Sequence, residues 1–143
     1  MAYADARARI ATVLATISIT APVTASIERV YTDPPEVVQD RPSFVMFGAE
    51  GQYNYTLGSG TINEEVETEH FQLFVHDDDK NRAAAIVRAF QVAVRAAFKN
   101  ETGLDGHGVI RLLRWGRPSG LTFAGKQDFT GCDFFVEFLV LAP

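Results

Sequence analysis

The amino-acid sequence predicts an α+β fold in which one long helix packs on a mixed or antiparallel β-sheet and a second helix lies at the N-terminus. Two amphipathic stretches predict the helices. Several segments rich in β-branched and aromatic residues, separated by glycine and proline, predict the strands. The 143 residues suit one domain over positions 1–143, which can bury a sizeable core without a metal or a disulfide.

The first helix is predicted over Ala4–Ile17. Four apolar residues there recur at the i, i+3, i+4 and i+7 positions that share one helix face: Ile10, Val13, Leu14 and Ile17. This stripe is typical of an amphipathic helix that packs on a core. Two arginines ahead of the apolar stretch also imitate a signal peptide, but Asp5 and the repeated Thr and Ser residues favour the helix.

Strands and turns alternate through the next part of the chain. A strand is predicted over Ser26–Tyr31, and the proline pair at 34–35 ends it because proline cannot donate to a β-ladder. Residues 36–42 are predicted as a loop, and Ser43–Ala49 as a short apolar strand. The glycines and tyrosines of Glu50–Gly60 predict a hairpin or an extended loop.

The strand predicted over Thr61–His76 changes character along its length. One of its faces carries first an acidic and then an apolar set: Glu65, Glu67 and Glu69, then Phe71, Leu73 and Val75. One core cannot take both sets, because side chains alternate with a period of two. We therefore expect either a bulge that shifts the register or a first half that projects from the domain. In the second case Ile62 and Val66, on the other face, contact another molecule.

The most regular pattern predicts a long helix over Asp79–Lys99. Apolar residues at spacings of three and four form one stripe along it: Ala83, Ile86, Val87, Phe90, Val94, Ala97 and Phe98. The Asp residues at its start suit a helix N-terminus, where carboxylates accept hydrogen bonds from free amides. The same run resembles a calcium-binding loop, but Arg82 stands where such a loop needs glycine, so we predict no calcium site.

The C-terminal part predicts strands over Val109–Trp115, Leu121–Ala124 and Phe129–Leu141. The last strand has apolar residues on both faces, so we expect cover on both faces. The long helix supplies one cover, and either the first helix or a neighbouring subunit supplies the other.

The charge and the motifs favour a non-catalytic protein. The net charge of −5 and the scattered basic residues argue against a nucleic-acid grip. Gly120–Gln127 nearly matches a phosphate-binding loop, but Gln127 lacks the hydroxyl that binds magnesium, and a hairpin turn explains both glycines. Cys132 is predicted to be a buried thiol. We predict no catalytic, cofactor or metal site, and no segment is long and apolar enough to span a membrane.

The order of elements resembles the tail terminator, or tail completion, proteins of long-tailed bacteriophages and phage-like gene transfer particles. Four parts of the chain carry the resemblance: the helix Asp5–Ile17, the helix Asp79–Lys99, the segment Leu112–Trp115 and the ending Gln127–Phe135. The resemblance implies a virion protein without catalytic residues, assembled in the host cytoplasm. It also implies a hexameric ring that caps the tail tube and joins it to the neck or head–tail connector, while DNA passes through non-specifically.

Two groups of residues suit this role. The acidic side chains Glu65, Glu67 and Glu69 are candidates to line the DNA channel, since like charge discourages sticking. A second group, Tyr53, Tyr55 and Leu57, is a candidate to dock on the adjacent ring, because aromatic residues favour interfaces.

Two alternatives remain open from the sequence. One is another connector or tail tube subunit of the same particle. The other is a small ligand-binding domain with a pocket lined by Tyr53, Tyr55, Trp115 and Phe123.

Overall fold

The computed structural model describes residues 3–39, 42–55, 62–99 and 110–141. Within these ranges the chain forms the following elements in order: α1 (Tyr3–Ala15), β1 (Ser18–Ile19), β2 (Ala25–Ser26), β3 (Arg29–Tyr31), β4 (Ser43–Tyr55), β5 (Ile62–Val75), α2 (Lys80–Lys99), β6 (Ile110–Trp115), β7 (Ser119–Phe123) and β8 (Gln127–Leu141).

The main sheet is mixed. Its strand order is β3-β4-β5-β8-β6, and β7 also pairs with β8, beyond the end of β6. The pair β3–β4 is parallel and the other pairs are antiparallel. The short strands β1 and β2 form a separate antiparallel pair. The predicted α+β class, with a long helix on a mixed sheet and an N-terminal helix, is confirmed.

Both helices cover the same face of the sheet. The main core joins α1 residues such as Leu14 and α2 residues such as Phe90 to sheet residues such as Phe71 and Phe134. The predicted apolar stripes are the reason, because each helix buries its stripe against this one face. The suggestion that the first helix covers the opposite face is therefore wrong.

The start of α2 follows the predicted capping chemistry. Asp79 Oδ1 accepts hydrogen bonds from the backbone N–H groups of Asn81 at 3.0 Å and Arg82 at 3.2 Å. The carboxylate of Asp77 accepts from the Asp79 N–H at 2.9 Å and from the Arg82 guanidinium at 2.8 Å, and the Arg82 hydrogen bond holds the pKa of Asp77 below its ordinary value.

The strand β4 is longer than predicted. Residues 50–55, expected as a hairpin or loop, continue the strand and pair with β5 as far as Ile62. The register shifts at the far end, between Asn54 and Tyr55, and also earlier, between Met46 and Gly48, where Phe47 is left as an extra residue. Gly48 adopts φ +109°, a conformation that side chains disfavour, so glycine is required at this bulge.

The strand β5 stays regular from Glu64 to Val75. It pairs with β8 without interruption from Glu64↔Leu141 to Val75↔Thr130. The bulge beside the predicted change of face is therefore in β4 and not in this part of β5, and Glu69 lies on the same face as Phe71. Val66, on the other face, is 8% exposed and already buried by this chain.

The second face of the sheet is covered over one end only. Val38, from the loop after β3, and Phe123, from β7, pack there on Val45, Phe74 and Phe129. Gln127 fixes the loop, since its side chain donates to the Val38 carbonyl at 2.8 Å and accepts from the Val38 N–H at 2.9 Å. We call the uncovered remainder of this face the open face.

Candidate functional site

The open face contains a groove of about 720 Å³ that crosses the middle of the sheet. Its apolar lining includes Phe47 from β4, Val66 from β5, Phe135 from β8 and Leu113 from β6. Glu50, Arg114 and Glu137 add charged groups.

Two β-bulges provide the most exposed apolar side chains of this groove. Phe47 is the extra residue of the β4 bulge, and Leu113 is the extra residue of a second bulge in β6, where the register shifts between Leu112 and Arg114. Phe47 is 39% exposed and Leu113 is 44% exposed. Bulges redirect side chains and occur often near functional sites, so this pair marks the groove as a candidate interaction surface.

The floor of the groove is a stack of rings around His70. Its imidazole lies against Phe135 with centroids 4.7 Å apart and against Phe47 at 5.2 Å. The guanidinium of Arg114 lies 4.0 Å from the centroid of the Phe135 ring. Such stacks form a flat, rigid surface that loses little conformational entropy when a partner covers it.

Hydrogen bonds hold the histidine in place. Its Nε2 lies 2.7 Å from Asp133 Oδ1, which also accepts a hydrogen bond from Gln72 Nε2 at 2.7 Å. The ring is thus fixed from below by a carboxylate and from the sides by aromatic rings. A strand register of His70↔Phe135 and Gln72↔Asp133 produces this arrangement.

The chemistry of the groove is suited to binding. Its centre is apolar and aromatic, and its charged groups are spread over three strands. In the part of the chain that the structure describes, no three His, Cys, Asp or Glu side chains gather as a metal site would require. Neither helix within the described ranges has the length and apolar character needed to cross a bilayer.

Glu69 does not belong to an exposed acidic face, and this prediction is wrong. Its side chain is 0% exposed, forms an ion pair with Arg7 of α1, and accepts the Gly48 N–H at 2.7 Å. The physical reason is that β5 keeps its register, which places Glu69 on the helix-covered face beside Phe71. Glu69 is therefore unavailable to line a channel.

Four of the other predicted site residues, Tyr53, Tyr55, Glu65 and Glu67, lie in the distal halves of β4 and β5. Tyr53 pairs with Glu65, and Glu67 pairs with Gly51, whose missing side chain leaves space for the Glu67 carboxylate. Tyr55 is the last residue of β4. Leu57 lies outside the described residues, so its predicted docking role stays a prediction.

The pocket of the ligand-binding alternative is not assembled as predicted. Trp115 lies on the helix-covered side, where Arg95 of α2 packs 4.7 Å from its ring centroid. Phe123 is buried with Phe74 and Phe129 on the opposite side of the sheet. The near-match to a phosphate loop is a β-hairpin, as predicted, since Ser119–Phe123 pairs with Gln127–Gly131.

Sequence reasoning missed the residues of the groove. Phe47, His70 and Leu113 have ordinary strand neighbours, and nothing in a strand pattern predicts which residue a bulge will redirect. The one sequence feature that pointed to this surface was the apolar character of both faces of the final strand.

The chain matches no known protein-family model, and none of the curated proteins matches it.

Proposed function

We propose that the chain is a structural subunit of a phage or phage-like particle, forming a hexameric ring that caps the tail tube and joins it to the neck. The observation that carries this proposal is the open face. Apolar side chains remain exposed there, beside a sheet that is otherwise well covered. An exposed apolar patch of this kind is typical of a protein that buries it against a partner.

The two bulges strengthen the argument for assembly. In a regular strand, successive side chains alternate between the two faces of the sheet. Phe47 and Leu113 are instead the extra residues of two bulges, and both line the same groove. Exposed Phe and Leu side chains in a monomer favour aggregation. A ring that buries them removes this liability.

The channel role rests on the remaining acidic residues. Strand alternation places Glu65 and Glu67 together on one face of β5, in the half that extends past Glu69. Charge reversal of both is expected to leave rings intact and to impair DNA passage. Particles that package and eject DNA normally would remove this part of the proposal.

Docking on the adjacent ring is assigned to Tyr53, Tyr55 and Leu57. The double substitution Tyr53→Ala with Tyr55→Ala is expected to leave the subunit folded but to prevent tails from joining heads. Counting joined particles by electron microscopy tests this assignment, and wild-type numbers of joined particles contradict it.

The proposal as a whole is tested by native mass and electron microscopy of the purified chain, alone and with the tail tube protein. We expect discrete rings of six subunits that bind the end of the tube. Filaments of the chain alone would instead identify a tube subunit. A chain that stays monomeric at high concentration and with the tube would contradict assembly.

A further inference from the structure

A second exposed surface lies on the opposite side of the molecule, along the outer ridge of α2. Arg88, Val92 and Arg95 are all exposed and follow one another at spacings of four and three, which places them in a row on the helix. Val92 is 61% exposed, and Trp115 beside Arg95 is 41% exposed. We call these four residues the helix ridge.

The exposed apolar residues of the described chain concentrate on the helix ridge and in the groove. Five large hydrophobic side chains are exposed within the described ranges. Val92 and Trp115 are on the ridge, Phe47 and Leu113 are in the groove, and only Val37 is elsewhere. Two apolar surfaces on opposite sides of one chain suggest that each covers the other in a neighbouring copy.

The charges of these two regions are complementary. The helix α2 contains five Lys or Arg residues and no Asp or Glu. The groove is lined by two acidic residues, Glu50 of β4 and Glu137 of β8, and by one basic residue, Arg114 of β6.

We infer that the helix ridge of one copy docks into the groove of the next copy. Val92 then fills the apolar centre between Phe47 and Leu113. Arg88 and Arg95 lie toward the acidic residues of β4 and β8. This is a helix-in-groove contact, with an apolar anchor between charged flanks.

This contact is heterologous, because the ridge and the groove are different surfaces of the same chain. Heterologous contacts close into rings when the rotation between neighbours allows it. The inference rests on the proposed ring and identifies the surfaces that form it. It leaves Glu65 and Glu67, on the other face of β5, for the channel.

A mixing experiment tests the inference. Val92→Asp disables the ridge and leaves the groove, whereas Leu113→Asp disables the groove and leaves the ridge. We expect each variant alone to associate at least about tenfold more weakly than wild type. An equimolar mixture has one intact ridge and one intact groove, so it is expected to form a heterodimer of twice 15.7 kDa by light scattering.

The matched control is Val37→Asp. Val37 is 66% exposed, close to the 61% of Val92, and lies on neither surface. We expect this variant to assemble like wild type, and circular dichroism of all three variants checks that they fold. Heterodimer formation in the mixture is itself evidence that both partners are folded.

The outcomes separate the inference from the proposed function. Rings of wild-type mass from Val92→Asp or Leu113→Asp would overturn the inference and leave the ring proposal standing. A wild-type chain without any oligomer would contradict both. Assembly that is unchanged in Arg88→Glu with Arg95→Glu, together with weaker binding of duplex DNA, would assign the ridge to nucleic acid instead.

Chemical cross-linking gives a second readout that also detects weak association. A chain carrying both Val92→Cys and Leu113→Cys is treated with a short bis-maleimide, while Cys132 stays unreactive because it is 1% exposed. We expect a ladder of products up to the closed ring. Each single-cysteine variant can give dimers at most, and a double variant that also stops at dimers would contradict the head-to-tail contact.

Discussion

The guanidinium of Arg7 joins parts of the fold that are far apart in sequence. It forms an ion pair with the buried Glu69 of β5 and donates to the Thr32 carbonyl at 2.6 Å, and it lies 3.8 Å from Asp33. Glu69 in turn accepts the N–H of Gly48 at the β4 bulge. One ion pair therefore connects α1, the end of β3, the bulge and β5. Nothing in the sequence distinguishes Glu69 from the other glutamates of its run.

Arg7→Ala is expected to destabilise the fold by about 3 kcal/mol, because it leaves the Glu69 carboxylate buried without a counter-charge. Denaturant unfolding measures this loss. The control Arg117→Ala removes the same side chain from an exposed position and is expected to change stability by less than about 0.5 kcal/mol. Arg7→Met with Glu69→Gln is expected to recover part of the loss, since no charge then remains buried. A double variant as unstable as Arg7→Ala would contradict this account.

Cys132 illustrates a residue whose burial was predictable from its apolar neighbours. It is 1% exposed within the main core, and burial raises the pKa of its thiol to about 12. Because the raised pKa favours the neutral form, the folded chain keeps the unreactive thiol at pH 8 and pH 9, where an unfolded cysteine increasingly ionises.

We therefore expect an aromatic disulfide reagent to label Cys132 only as fast as the chain opens. Labelling at pH 8 is expected to take one slow phase in buffer and to finish at once in denaturant. Raising the pH to 9 speeds the reaction of the unfolded chain much more than that of the folded chain. Rapid labelling in buffer would show that the thiol is accessible.

Among the elements, the helices were predicted more accurately than the strands. The 3.6-residue stripe identified α1 and α2 to within about two residues at each end, because their apolar residues serve one face of one core. The predicted strand ends at Ala49, short of the end of β4, because the glycines that follow resemble turn residues. In the structure Gly48 forms a bulge and Gly51 makes room for Glu67, and neither role can be read from a strand pattern.

At its start, the strand β8 lies between β5 and β7, and Gly131 allows the three strands to approach closely. Gly131 pairs with Phe74 of β5 on one side and with Ser119 of β7 on the other. A Cβ atom built on Gly131 would lie 1.8 Å from the Leu73 carbonyl oxygen and 2.9 Å from Leu121 Cδ1. Backbone cannot yield as a flexible side chain does, so any substitution must separate the strands.

Gly131→Ala is thus expected to cost roughly 3 kcal/mol or more, or to prevent folding. Gly120→Ala is the matched control, since Gly120 lies in the facing strand β7 and a Cβ there meets nothing within 4 Å. We expect the control to stay within about 0.5 kcal/mol of wild type in thermal unfolding. Equal stabilities of the two variants would contradict the close strand approach.

At the scale of the whole molecule, the sequence predicted the α+β class and the need for cover on both faces of the sheet. It did not predict which face each helix takes. That choice depends on the three-dimensional order β3-β4-β5-β8-β6 and on the Arg7–Glu69 pair, which holds α1 beside α2. The groove follows from the same choice, because two helices on one face leave only a loop and β7 for the other.

The separation of charge across the molecule leads to a prediction about assembly rates. If basic α2 of one copy approaches Glu50 and Glu137 in the groove of another, electrostatic attraction accelerates their encounter. Raising the ionic strength from about 0.05 M to 0.5 M shortens the screening length to a few ångströms. We therefore expect the association rate, followed by stopped-flow light scattering, to fall about tenfold. The dissociation rate is expected to change much less, because burial of Val92, Phe47 and Leu113 does not depend on screening.

Arg88→Glu is expected to lower the association rate and weaken its salt dependence. The control Lys126→Glu makes the same charge change on the exposed β7–β8 turn, away from both surfaces. Equal salt dependence in these two variants would mean that net charge, and not the ridge and the groove, governs the encounter.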